Sequence, residues 1–88
     1  MNQEESDTLE SLQRADTQRR ILIHLILEER EMSNQEIAEA LELSVNSVNI
    51  GLHNLHNKGL VERVSRGLYR YKLGPILATI LKKYFEEV

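Results

Sequence analysis

The segment SNQEIAEALELSVNSVNIGLHNLHNKGL most constrains how this 88-residue chain can fold. Ser33 precedes Glu36 by three residues, which is the spacing of a capping box at the start of a helix. Ser44 can cap a further helix, and Gly59 stands where a left-handed residue is expected to end it. These signals predict a short helix, a tight turn, and a longer helix that runs to about Asn57.

Apolar residues determine which sides of these two helices face the core. They recur at helical spacing as Ile37, Ala38 and Leu41 in the shorter helix, and as Val48, Leu52 and Leu55 in the longer one. Burial of these residues leaves the other side of the longer helix, which is rich in asparagine, to face solvent or a partner.

The preceding segment DTQRRILIHLILEERE predicts a helix from an N-cap at Asp16 or Thr17 through Glu31. One of its faces carries Ile21, Leu22, Leu25 and Ile26, and a second face carries Ile23 and Leu27. A helix that is apolar on two sides needs two partners. His24, among these aliphatic residues, is expected to be a partly buried structural histidine.

After these helices the apolar period changes to two residues. The runs LVERV and LYRYKL predict a β-hairpin whose turn contains Gly67 at a positive φ. The second run alternates, with Tyr69, Tyr71 and Leu73 on one face and Arg70 and Lys72 on the other. We expect the tyrosine face to pack on the core, with stacking on bases as the alternative.

The chain divides into three parts. Residues 1–15 are acidic and predict a flexible segment, residues 16–74 one folded unit, and residues 75–88 a C-terminal helix that Pro75 can begin. The last helix has a wide apolar stripe made of Ile76, Leu77, Ile80, Leu81, Tyr84, Phe85 and Val88. The predicted fold class is mainly α with a small β-hairpin, an α+β architecture.

This order of elements resembles the winged helix-turn-helix of the ArsR, MarR and related prokaryotic transcription regulators. The resemblance covers residues 19–73 and lies in ILxxL from Ile21, EIAEALELS from Glu36, the apolar set of the longer helix, and KGLVER from Lys58. It implies sequence-specific binding of double-stranded DNA, with the third helix (44–57) in the major groove and the wing (61–73) on the backbone or minor groove.

Side chains suited to DNA binding occupy the outward positions of the third helix and the wing. Asparagine can pair with adenine, serine with either base type, and an aliphatic side chain with a thymine methyl, while wing cations and helix N-terminal amides can hold phosphates. The predicted DNA-binding residues are Asn34, Gln35, Val45, Asn46, Ser47, Asn49, Ile50, His53, Asn54, Arg66, Arg70 and Lys72. The third helix carries no charge at these positions, so we expect modest affinity per monomer and a preference for sites that contain A·T pairs.

The net charge of −3 hides a division along the chain. Residues 1–43 carry four basic and eleven acidic side chains, a net −7, whereas residues 44–74 carry five basic and one acidic, a net +4. Residues 75–88 balance two of each. The basic third of the chain is therefore the part suited to a polyanion.

A chain this short has a small core, so a second copy that covers apolar surface would stabilise it. We predict a homodimer whose interface contains Ile23, Leu27, Ile76, Ile80, Leu81, Tyr84 and Phe85. Two reading helices related by a two-fold axis would then lie about 34 Å apart and select a near-palindromic site.

Other functions are less well supported by the residues. The spacing of His53 and His56 suits metal ligands, but the chain has no cysteine and we predict no metal site and no cofactor. No catalytic constellation or small-molecule site is evident, so an enzyme is not expected. The absence of cysteine and of a run of about 20 apolar residues indicates a cytoplasmic protein with no membrane contact.

Two alternatives stay open. Winged helices also serve as protein-interaction modules, here in a larger nucleic-acid-related assembly. The run VNIGLHNL is also similar to the VNxxLYxL of winged helices that bind left-handed Z-form DNA, with Asn49 and His53 at the matching positions. Val45 stands where that family has lysine, and the wing lacks its Pro-Pro-Trp.

Overall fold

The structure, a computed structural model, describes residues 15–72 and 74–80. Its elements are α1 (Asp16–Glu28), β1 (Met32–Ser33), α2 (Asn34–Leu41), α3 (Val45–Asn57), β2 (Val61–Ser65) and β3 (Leu68–Tyr71). Residues 74–80 are helical and form the described part of α4. The α+β fold class is confirmed, and the topology is that of a winged helix. Within the described ranges, no helix has the length and apolar character needed to cross a membrane.

The predicted caps of α2 and α3 are confirmed. The Ser33 hydroxyl accepts a hydrogen bond from the Glu36 backbone N–H, and the Glu36 carboxylate accepts one from the Ser33 N–H, each at 3.0 Å. The Ser44 hydroxyl caps α3 by accepting from the Ser47 N–H at 3.1 Å. Gly59 has φ of +75°, the left-handed conformation expected after α3. The turn between α2 and α3 is therefore set by local chemistry.

Helix α1 differs from its prediction at both ends. Its N-cap is Ala15, which makes no side-chain capping bond, and it ends at Glu28 where residues through Glu31 were expected to continue it. Glu29 takes a left-handed φ of 53° and its N–H bonds to the carbonyl of Leu25. This turn ends the helix and brings Met32, only 2% exposed, into the core.

The sheet has three antiparallel strands in the order β1-β3-β2. The hairpin of β2 and β3 was predicted, and Gly67 in its turn has the expected positive φ, +73°. The pairing of β1 with β3, which sets Met32 opposite Tyr69, was not predicted. Two residues are too few to show an alternating pattern, so the sequence carries no periodic signal for this strand.

The core lies between helices α1, α2 and α3 and the inner face of the sheet, and one residue of α4, Ile76, belongs to it. Its buried residues are Ile21, Leu22, Leu25, Met32, Ile37, Ala38, Val48, Leu52, Leu55, Leu60, Val61 and Ile76. Tyr69 and Tyr71 pack against this cluster, as expected for the core side of the hairpin. Gly51 lets α1 and α3 approach closely, because a Cβ atom there would lie 2.6 Å from Cδ1 of Ile21.

Candidate nucleic-acid interface

The outward face of α3 is exposed and carries both polar and aliphatic side chains. Of its residues predicted to bind DNA, Asn54 is half-buried, whereas the exposed ones are Val45, Asn46, Ser47, Asn49, Ile50 and His53. The two aliphatic residues are unusually open for their type, Val45 at 40% and Ile50 at 56% exposure. This face therefore offers amides, a hydroxyl, an imidazole and aliphatic groups to whatever lies against α3.

Two hydrogen bonds on this face limit what its polar groups can do. The Ser44 hydroxyl donates to Oγ of Ser47 at 2.9 Å, which leaves the Ser47 proton for a partner. Nδ2 of Asn57 lies 3.2 Å from Nε2 of His53. With an amide group beside Nε2, Nδ1 is the His53 nitrogen that remains open to another contact.

Asn34 connects the outward face of α3 to the wing. Its Nδ2 donates to Oδ1 of Asn49 at 2.8 Å, and its backbone N–H donates to the carbonyl of Gly67 at 3.1 Å. The first residue of α2 thus bonds both to the outward face of α3 and to the hairpin turn. The turn carries the exposed Arg66, so this arginine lies beside the face that Asn49 belongs to.

The amides at the start of α2 were expected to hold a phosphate, and the structure gives them other partners. The Asn34 N–H bonds to Gly67, the Gln35 N–H bonds to Oδ1 of Asn34 at 2.9 Å, and the Glu36 N–H bonds to Ser33. The Glu36 carboxylate also stands at this helix end. Because the donors are occupied and a carboxylate is near, the α2 amides are not free to bind an anion.

The cations predicted on the wing fall into two groups. Arg70 is ion-paired with Glu62 on the neighbouring strand and lies 3.9 Å from the Glu31 carboxylate. Arg66 and Lys72 are exposed, and neither has an ion-pair partner within residues 15–72 and 74–80. Arg70 would have to give up a carboxylate to contact a phosphate, whereas Arg66 and Lys72 would not.

Lys58 is the one charged residue of the segment from Ser44 to Leu60. Its Nζ donates to Oε1 of Gln18 on α1, and burial lowers the pKa of its ammonium group below the ordinary 10.5. This charge is directed at α1, so the outward face of α3 is uncharged as the sequence predicted.

Known proteins resemble this chain in sequence and in fold. The family model for the N-terminal domain of the methanogenesis regulatory protein FilR1 matches residues 6–88. The chain belongs to this family. The crystal structure of the ST1889 protein from the thermoacidophilic archaeon Sulfolobus tokodaii is similar with a TM-score of 0.67, at 19% identity over 94% of each chain. No curated protein matches the chain.

Membership in the FilR1 N-terminal domain family makes this a regulatory domain. This assignment is less specific than the resemblance to ArsR and MarR regulators. The Sulfolobus structure supports the fold alone at its level of identity. The finer resemblance therefore stays a prediction.

Sequence reasoning missed one cation on the wing of this FilR1-family domain. Arg63 on β2 is directly opposite Tyr69 on β3, and paired residues of antiparallel strands share a face. It is exposed, and no ion-pair partner is found for it in the described part of the chain. Arg63 therefore lies on the same face of the sheet as the buried Val61 but is itself exposed, and its charge within the basic third of the chain was the signal that could have found it.

The residues predicted for the dimer interface have different environments. Ile23, Leu27 and Ile80 are exposed at 48%, 74% and 51%. Leu77 on α4, which was not among the predicted interface residues, is 46% exposed. The prediction that Ile76 lies in the dimer interface is wrong, because this residue is 6% exposed and belongs to the core of the domain itself. Leu81, Tyr84 and Phe85 lie outside the described residues.

His24 is half-buried as predicted, and its Nε2 has no hydrogen bond within the described residues.

Proposed function

We propose that this domain binds double-stranded DNA as the DNA-reading part of a transcription regulator, with α3 in the major groove and the wing on the backbone or in the minor groove. The observation that supports it best is the hydrogen-bonded link from Asn49 through Asn34 to Gly67. This link sets the uncharged outward face of α3 and the wing turn with Arg66 side by side. The regulatory family to which the chain belongs is consistent with this role.

The division of chemistry between α3 and the wing suits reading and holding a duplex. Amides and aliphatic groups of α3 can contact base edges, which carry the sequence information. Arg63 and Arg66 of the wing can neutralise phosphates without first breaking an ion pair in the described structure. Binding should then weaken with salt, because each phosphate neutralised adds about −0.9 to the slope of log K against log[salt].

Fluorescence anisotropy with duplexes selected from random DNA tests this proposal. We expect binding that weakens steeply with salt, and an Arg66→Ala variant whose salt slope is reduced by about 1. The matched control is Arg70→Ala on the same hairpin. Because Arg70 is already paired with Glu62, its loss should change the slope less than the loss of Arg66. If no duplex is enriched or bound at low salt, the protein-interaction alternative is favoured instead.

We further propose that the domain acts as a homodimer through the exposed apolar residues of α1 and α4. Ile23 and Leu27 are four residues apart on α1, so they share one side of the helix, away from the buried Ile21, Leu22 and Leu25. Leu77 and Ile80 make a similar exposed pair on α4. Exposed apolar residues that form one contiguous patch are characteristic of surfaces that another protein covers.

Light scattering at high micromolar concentration tests the dimer. We expect twice the monomer mass for the wild type and the monomer mass for Ile23→Ser plus Leu27→Ser, with an unchanged circular dichroism spectrum. The matched control is Val45→Ser plus Ile50→Ser, which changes two exposed apolar residues of α3 and should leave the dimer intact. A wild-type protein that is monomeric at this concentration contradicts the dimer without affecting the proposal of DNA binding.

A further inference from the structure

The orientation of the Asn34 side-chain amide is fixed by a backbone group. The Gln35 N–H, which can only donate, points at the Asn34 side chain over 2.9 Å. The Asn34 atom that faces it must therefore be the oxygen, Oδ1. This removes the usual ambiguity between the oxygen and nitrogen of an asparagine, because the opposite assignment would set two donors against each other.

The same logic carries over to Asn49. With Oδ1 of Asn34 occupied, its Nδ2 is the group that lies 2.8 Å from the Asn49 side chain. An amide nitrogen can only donate, so the Asn49 atom that faces it must be its own oxygen. The Asn49 oxygen is thus turned towards Asn34, and its NH₂ group is the part that remains for a partner on the exposed side of α3.

We infer that Asn34 is a positioning residue for base recognition, which makes Asn49 present hydrogen-bond donors to DNA; this inference rests on the proposed DNA binding. Bidentate reading of adenine needs the asparagine oxygen for N6 and the nitrogen for N7 together. With its oxygen held by Asn34, Asn49 favours acceptor atoms. Guanine offers two side by side, N7 and O6, and thymine offers O4, whereas adenine offers only N7 beside an amino group that a second donor cannot pair with. The simple expectation that an outward asparagine reads adenine is therefore replaced at this position.

Substitution of Asn34 by aspartate should reverse this arrangement. The carboxylate can still accept from the Gln35 N–H, but it has no proton to donate to Asn49. The Asn49 amide is then expected to rotate, donate its NH₂ to the new carboxylate, and present its oxygen to DNA. The Asn34→Asp variant should therefore prefer bases with an exposed amino group, adenine or cytosine, at the position that Asn49 contacts.

Parallel selections from random duplex DNA with wild type and Asn34→Asp measure the change. We expect relative affinities at one base position to change by about tenfold or more in favour of donor-bearing bases. The matched control is Gln35→Glu, which adds the same charge at the neighbouring exposed residue of α2 and should weaken all sequences alike. In an Asn49→Ala background, Asn34→Asp should no longer alter the base preference.

Nuclear magnetic resonance of the side-chain amides gives a readout without DNA. In the wild type, hydrogen exchange of the Asn34 NH₂ protons should be slowed, whereas that of the Asn49 NH₂ protons should not. In Asn34→Asp, exchange of the Asn49 NH₂ protons should become slow. Slowed exchange of the Asn49 NH₂ in the wild type overturns the inference, as does an Asn34→Asp selection with the wild-type base preference. If the wild type selects no DNA at all, the proposed function fails, while the amide exchange still tests the arrangement of the two asparagines.

Discussion

The two faces of α3 differ in what holds their residues in place. On the inner face Val48, Leu52 and Leu55 have no solvent exposure and are surrounded by core residues. On the outer face, Asn49 is exposed and is held by one hydrogen bond from another element. Packing therefore fixes the orientation of the helix, and a few polar contacts determine how it presents its functional groups. Substitutions on the two faces should have separable effects.

The largest loss of stability is expected from a substitution on the inner face of α3. Leu52→Ala removes a side chain with 0% exposure and leaves a cavity, so the free energy of unfolding should fall by about 2–5 kcal/mol. Urea denaturation followed by circular dichroism measures it. A loss below about 0.5 kcal/mol, which is typical of a surface position, would show that the inner face of α3 is not packed as described.

A smaller loss is expected where α3 touches α1. Gly51→Ala would set a Cβ atom 2.6 Å from Cδ1 of the fully buried Ile21, and overpacking of this kind costs about 1–3 kcal/mol. Thermal unfolding measures the loss. Gly74→Ala is the control, because a Cβ atom there meets nothing within 4 Å and should leave the melting temperature almost unchanged. Equal effects at both glycines would contradict the close approach of α1 and α3.

The inner face could be predicted from the sequence, whereas the arrangement of the outer face could not. Helix caps and apolar spacing are local signals, so Ser33 was sufficient to place the start of α2, and Ser44 and Gly59 to place both ends of α3. The Asn34–Asn49 hydrogen bond and the Met32–Tyr69 pairing join residues that are far apart in sequence and have no local pattern. Which outward amides are free, and which are already held, depends on these tertiary contacts.

A substitution on the outer face of α3 should weaken DNA binding and leave the stability of the fold nearly unchanged. Ile50→Ala truncates a side chain that is 56% exposed, so the free energy of unfolding should change by less than about 0.5 kcal/mol. Affinity for selected DNA should fall by about 1 kcal/mol, the lower end of what one lost base contact costs. Anisotropy and urea denaturation on the same samples separate the two. A stability loss as large as that of Leu52→Ala would remove the distinction between the faces.

The smallest loss of stability is expected at Glu36, an exposed residue that caps α2. The pKa of the Glu36 carboxyl is lowered from its ordinary 4.5, first by the hydrogen bond from the Ser33 N–H and next by Arg30, whose guanidinium lies 3.0 Å away. A carboxyl with a lowered pKa stabilises the fold above its unfolded-state pKa, and this stabilisation is lost as the pH falls through the folded-state value. Glutamine can still accept from Ser33 but cannot pair with Arg30 as a charge.

Glu36→Gln should therefore be less stable than the wild type at neutral pH, with a difference that shrinks as the pH falls below about 4.5. Urea denaturation at a series of pH values measures the difference. Glu39→Gln is the matched control, since Glu39 is exposed on the same helix and has no ion pair among the described residues. If the two variants follow the same pH dependence, the charge of Glu36 contributes nothing, and the neutral hydrogen bonds of the capping box alone hold the start of α2 beside Asn34.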